Sequence, residues 1–200
     1  MSRSQRQNQK LQTRKHIIDV ALNEFAQYGL TLMPTSDIAK AAKVSHGTIF
    51  AHFPTREILL DAVIEEFGMR ITDRLHQLVS EDCSMEEVLQ AQLKGIHEYE
   101  GFYTRLVLEA RLLNESSRNT LIAIQSAVSF HIIQVAEREM KDGRIYCQPV
   151  DLLFNTWIGL VHYYLINGDL FAPEGSVLES YGERLIKHYL NLITQKEGKK

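Results

Sequence analysis

"KVSHGTIFAHFPTREILL", residues 43–60, is the stretch on which the fold of this chain turns. Ser45 offers a hydroxyl where a helix would begin, and Pro54 disfavours helical geometry in the residue before it, so the helix between them ends by Phe53. A helix of about two turns is marginal in water and contributes little stability by itself. Its use lies in its exposed face. Ile49 and Phe53, four apart, point into a core, which leaves His46, Gly47, Thr48, Phe50 and His52 along the outside or flanks. That face is uncharged and well supplied with small groups, whereas a surface helix serving only solubility carries Lys and Glu pairs. Small residues with hydrogen-bonding tips suit close approach to base edges in a major groove.

Outward from this stretch the pattern stays helical. Ile18, Ala21, Leu22, Phe25 and Ala26 recur at helical spacing and Gly29 supplies a stop after Tyr28, which predicts a helix over about 9–28. Pro34, Thr35, Ser36 and Asp37 form the next start signal, with Ile38, Ala39 and Ala42 inward. The tight Lys43-Val44 turn then joins two helices into a helix-turn-helix whose second member is the reader. Beyond Pro54, Thr55 caps a longer helix with an inward face of Ile58, Leu59, Ala62, Val63, Phe67, Ile71, Leu75 and Leu78. Further helices are expected near 85–100, 102–114, 117–141, 149–167 and 175–195, separated by Gly101, Asn114 to Ser117, Asp142-Gly143 and Asn167-Gly168. With no convincing alternation of period two, the fold class is all-α.

At 200 residues and 44% hydrophobic content the chain can bury a core without staples. Cys83 and Cys147 show no metal-ligand spacing, and nothing at the N-terminus reads as a signal peptide, so a cytoplasmic setting is expected. The most apolar run, 156–166, is interrupted by His162 and is shorter than the roughly 20 residues of a membrane span, so no membrane partner is expected. Charge is informative once divided. Residues 1–60 hold eight Lys or Arg against four acids, while the whole chain is at −3, so a basic module joins an acidic body. The leading arm is either a solvated tail or part of that basic module.

Residues 35–60, "TSDIAKAAKVSHGTIFAHFPTREILL", resemble the DNA-binding signature of the TetR family of transcriptional regulators, and the basic lead-in, first helix and length agree. The resemblance covers about residues 10–62; beyond it, only helix count and length match. It implies a three-helix DNA-binding head over 1–60 and a helical ligand-binding and dimerisation body over 61–200. By position, Thr35 and Ser36 would reach backbone phosphate, and Ser45, His46, Gly47 and Thr48 would present the reading helix to the groove. Phe50 and His52 would contact phosphate or base edges, and Arg56 would grip phosphate. Thr35 and Ser45 can equally act as caps, and His52 as a structural hydrogen-bonder. Phe50 stands where the family has tyrosine, and Lys43 where the turn has glycine, so Lys43 is expected at positive φ.

In the body, 150–166 is apolar nearly all round, and the last helix carries a stripe of Leu178, Tyr181, Leu185, Tyr189 and Leu192. These two helices from each of two chains would form a homodimer interface; the alternative is a monomeric core. Tyr99, Tyr103, Arg105 and Trp157 are candidates to line a small-molecule pocket, although an ordinary helical core has the same composition. Histidines 97, 131 and 162 form no i, i+4 ligand pair, so packing is expected of them, with no metal and no cofactor. No nucleophile-base arrangement or phosphate-cradling loop is visible, so enzyme activity is not expected. The whole reads as a ligand-responsive, homodimeric repressor on a palindromic DNA operator. The competing readings are a DNA-bound platform whose body docks a protein, and an all-α enzyme with an incidental basic head.

Overall fold

The computed structural model describes residues 3–80 and 82–195; the C-terminal EGKK, expected to fray, and the first two residues of the basic arm lie outside the described residues. The described chain is helical throughout: α1 (Arg3–Tyr28), α2 (Thr35–Ala41), α3 (His46–His52), α4 (Arg56–Leu78), α5 (Met85–His97), α6 (Glu100–Glu109) with a 3-10 turn (Ala110–Leu112), α7 (Glu115–Lys141), α8 (Val150–Ile166), the single turn α9 (Gly168–Phe171) and α10 (Val177–Ile193). The all-α expectation holds, and most boundaries fall within two or three residues of those read from caps. α1 starts earlier than expected, at Arg3 instead of about residue 9, because nothing between them breaks a helix.

Two compact units result: residues 1–69 with 101–121, and residues 70–100 with 122–200. In the first, Ile17, Ile18, Ala21, Phe25, Ile38, Ile49, Phe53, Leu59 and Phe67 are buried, Phe25 and Phe53 completely. Phe67 packs against Phe102 and lies face to face with Tyr103, ring centroids 5.2 and 5.8 Å away. Asp61 accepts a hydrogen bond from Ser117 Oγ in the same unit. Ile58, expected inward, is 43% exposed, since Leu59, Leu60, Val63 and Ile64 take the buried face of α4.

In the second unit α5, α8 and α10 share a core. Trp157 and Tyr189 are fully buried with centroids 5.1 Å apart. Each finds a polar partner, Trp157 Nε1 donating to Gln92 Oε1 at 2.6 Å and Tyr189 Oη to the Leu153 carbonyl at 2.6 Å. Carboxylates from elsewhere in the unit hold two helix starts, where N–H groups and the helix dipole favour negative charge. Glu139 accepts from Met85 N at 3.0 Å, and Glu100 from Val177 N and Leu178 N at 2.7 and 3.3 Å. The last-helix stripe is spent inside the chain: Leu178, Leu185 and Tyr189 are buried, and only Leu192 stays well exposed, at 56%. Within the chain α5 and α8 pack against that stripe.

Two further features bear on solution behaviour. α7 is long and apolar enough to cross a membrane by length and composition, with a window of mean hydropathy 1.2 of which 28% is buried, although the sequence reading had passed it over. Core helices meet the same criterion. On α8, burial holds the His162 imidazole well below its ordinary value of 6.5, at about 4. The unfolded chain therefore takes the proton first as pH falls, so this contribution is complete above about pH 6.5 and is lost between there and about pH 4. Stability should fall by up to ~1.4 kcal/mol per pH unit in that window, at most about 3.4 kcal/mol in all. Urea unfolding at neutral and mildly acid pH checks this: His162→Gln should flatten the slope, and an unchanged slope would exclude His162 as its source.

Candidate nucleic-acid interface

α2 closes on itself before the turn to α3. Val44 N donates to the Ala39 carbonyl at 3.0 Å and Lys43 N to the Lys40 carbonyl at 3.1 Å, the paired closure of a left-handed C-terminal cap. Lys43 takes φ +55°, as expected from its place in the turn. That conformation favours glycine, so the turn carries strain of about 1–2 kcal/mol. Ser45 then caps α3: its Oγ accepts from Thr48 N at 3.1 Å and lies 2.8 Å from Thr48 Oγ1.

The start of α2 is organised differently from the sequence reading. Pro34 occupies the N-cap without a side-chain bond, so Thr35 is a first-turn residue and not a cap. Its hydroxyl is free to meet His46, whose Nε2 lies 2.9 Å from Thr35 Oγ1. The His46 ring stands edge-on to Phe50 with centroids 4.8 Å apart. Thr35, His46 and Phe50 thus form one continuous polar and aromatic surface, with Ser36 and Gly47 exposed beside it. A Cβ at Gly47 would meet nothing closer than Ser45 Oγ at 3.8 Å, so no contact within the chain requires glycine there. Glycine in a helix costs roughly 0.8–1.0 kcal/mol relative to alanine.

His52 sits apart from this surface. It is half-buried, its Nδ1 is enclosed with no hydrogen-bond partner, and burial, then Lys10 and Arg14, hold its pKa below the ordinary imidazole value. It is therefore neutral at neutral pH. Arg14 lies over the Phe53 ring, 4.7 Å from the centroid, so α1 brings basic charge to the C-terminal end of α3. Sequence reasoning missed this, because only the fold sets α1 against α3.

Arg56 is placed where no phosphate role was needed to explain it. Its Nε donates to the Met33 carbonyl at 3.0 Å, its Nη2 to the Leu30 carbonyl, and the guanidinium stands 5.7 Å from the Phe25 centroid. From the other side Glu109, at the end of α6, accepts from Leu30 N at 3.0 Å, Thr31 N at 2.8 Å and Thr31 Oγ1 at 2.7 Å. The turn between α1 and α2 is thus held by a cation on its carbonyls and an anion on its N–H groups. Gly29 at φ +94° makes room, since a Cβ there would lie 2.9 Å from Glu109 Oε1. Nothing local in the sequence marks Glu109, which is 79 residues from Leu30.

The four pocket candidates are not collected in one unit. Tyr103 and Arg105 belong to the first, Tyr103 packed on Phe67; Tyr99 and Trp157 belong to the second. Arg70 stands over the Tyr99 ring at 5.7 Å, and Trp157 is sealed in the core. A cleft of about 490 Å3 in the second unit is lined by Glu86, Gln90, Glu183, Ile186, Lys187 and Leu190, none of them a candidate. A Ser-His-Glu cluster also occurs there, with Ser176 Oγ 3.1 Å from His97 Nδ1 and 2.5 Å from Glu100 Oε2. It is a cap: the same Oγ accepts from Glu179 N at 2.9 Å at the start of α10.

An exposed short helix behind a tight turn, with Arg14 of α1 against its C-terminal end, defines the helix-turn-helix class of DNA-binding head on an all-α chain. Residues 17–63 match the domain described as "Bacterial regulatory proteins, tetR family". The likeness to that family thus lies in the reading head, about a quarter of the chain. It is 38% identical over 60 residues to the HTH-type transcriptional repressor Rv3405c of Mycobacterium tuberculosis, a match covering 30% of this chain and 32% of that relative. The chain thus spans about a third of that relative's length in the match. Among solved structures, a TetR-family regulator from Rhodococcus sp. aligns with TM-score 0.77 at 20% identity, covering 92% of this chain and all of that one (100%). FadR from Bacillus subtilis, solved in complex with stearoyl-CoA, aligns with TM-score 0.74 at 19% identity over 88% of this chain and 97% of that one. At these identities the likeness to both structures is one of fold.

Proposed function

We propose that this chain is a homodimeric, effector-responsive transcriptional repressor that reads a palindromic operator with one α3 helix per half-site. The observation that carries this is the uncharged start of α3, with His46, Gly47 and Phe50 exposed beside Thr35 and Ser36. In this reading residues 1–60 bind DNA and 61–200 bind effector and partner. Thr35, Ser36, Ser45 and Thr48 meet phosphate, His46 and Phe50 meet base edges, and His52 orients the end of α3. Arg56 acts chiefly by fixing the turn before α2. Two copies related by a two-fold axis would set their readers about 34–36 Å apart, one DNA turn. An uncharged stripe on α8, with Leu152, Tyr163 and Ile166 exposed at 57, 55 and 40%, supports that helix as the partner face.

The effector is assigned to the body by fold likeness to FadR, whose structure holds stearoyl-CoA. In this reading an effector bound in the body shifts α4 (Arg56–Leu78), and the separation of the two readers changes with it. Coupling of about 1–3 kcal/mol would change operator affinity roughly 5- to 150-fold. The test is His46→Ala, measured by fluorescence anisotropy on a duplex selected from a random library and on unselected duplex. Selectivity should drop by about 1–3 kcal/mol with the salt slope unchanged. Equal loss on both duplexes would remove His46 from base reading, and a wild-type protein that selects no duplex would remove the whole assignment.

A further inference from the structure

The second unit holds a pair of histidines that neither the reading head nor the core uses. His76 lies in the last turn of α4 and His131 in the middle of α7, 55 residues on. Their Nε2 atoms are 3.1 Å apart, with ring centroids at 4.6 Å and ring planes at 85°. Two neutral imidazoles meeting Nε2 to Nε2 share one proton, so one ring donates from Nε2 and the other must carry its hydrogen on Nδ1. A cation in place of that shared proton engages both lone pairs at once. With metal–nitrogen bonds of about 2.0–2.1 Å, neighbouring ligands stand about 2.9 Å apart at a right angle and about 3.3 Å apart in a tetrahedron. The observed separation falls between these.

We propose that His76 and His131 form a two-histidine clamp for one divalent late-transition cation, with Zn2+ as the reference ion, tying α4 to α7 within the second unit. Imidazole nitrogen selects Zn2+, Ni2+ or Cu2+ over Mg2+ and Ca2+, which prefer oxygen. No third His, Cys, Asp or Glu joins the pair among the described residues, so the remaining coordination positions belong to water or to a chelating small molecule. Spacing along one helix cannot reveal such a site, because its two ligands come from different helices.

The test is calorimetric titration of chelator-stripped full-length protein with Zn2+ at about pH 7.5, with Mg2+ as the control ion. One Zn2+ should bind per chain, and Mg2+ should give no heat. His76→Gln and His131→Gln should each weaken Zn2+ binding at least tenfold, while His97→Ala and His188→Ala should not. His76 is exposed, so His76→Gln keeps the test valid even where the His131 variant folds poorly. Absence of Zn2+ binding, or affinity retained in His76→Gln, overturns the proposal.

Discussion

Glu109→Ala should destabilise the chain by about 2–4 kcal/mol and weaken DNA binding at least tenfold, although Glu109 belongs to none of the three helices of the reading head. The carboxylate is the acceptor for Leu30 N, Thr31 N and Thr31 Oγ1. Hydrogen bonds to a charged acceptor contribute roughly 1.5–3 kcal/mol each, and a buried donor left unsatisfied costs about 1–3 kcal/mol. Leu30 is fully buried and Thr31 is exposed, so water can replace the bonds at Thr31 but not the one at Leu30. That places the sum toward the lower end of simple addition. The turn sets where α2 begins, and α2 carries Thr35, which meets His46. Urea unfolding and DNA-binding anisotropy on the same preparations check both effects. Gly29→Ala should reproduce them, because its Cβ would press on Glu109 Oε1 at 2.9 Å from a left-handed backbone. Unfolding within about 0.5 kcal/mol of wild type in both variants would show that the turn holds itself.

Trp157→Ala should cost about 3–5 kcal/mol, the largest single effect expected in the second unit. The indole is fully buried against Tyr189, and its N–H serves Gln92, itself only 3% exposed. Truncation therefore opens a cavity and also strips a buried amide of its donor. Trp157→Phe separates the two contributions: most of the volume stays, and the unpaired Gln92 oxygen should still cost about 1–3 kcal/mol. Because Trp157 is the chain's one tryptophan, unfolding has to be followed by circular dichroism. Phenylalanine as stable as wild type would mean that Gln92 finds another donor, and the polar part of the account would fail.

These cases mark where reading the sequence reached its limit. The bounds of the reading helix were legible because Ser45 and Pro54 act on their immediate neighbours. The strained turn at Lys43 was expected from the resemblance, which has glycine at that place, and it appears at φ +55°. The inward positions Ile38, Ala39, Ile49 and Phe53 followed from spacing alone and are buried. Thr35 was read as a possible cap because a hydroxyl near a helix start usually serves one, but Pro34 takes that position and the hydroxyl turns to His46. Arg56 was assigned to phosphate by its place in the motif; that place does not show the two bonds its guanidinium gives to the Met33 and Leu30 carbonyls. The stripe on α10 was periodic as read. Periodicity shows that a face is buried without showing against what, and here α5 and α8 lie against it.

By itself, then, the sequence determined the helical class, the ends of the helices, the reading motif and its uncharged face, since capping, backbone restriction and side-chain period act over a few residues. Only the tertiary structure decided that Glu109 and Arg56 grip one turn from two helices, that Trp157 is core, and that His76 faces His131. Each of these pairs residues 23 to 79 positions apart, or fills a space that exists only once distant helices have packed. No local signal records which of many chemically similar partners that packing will supply.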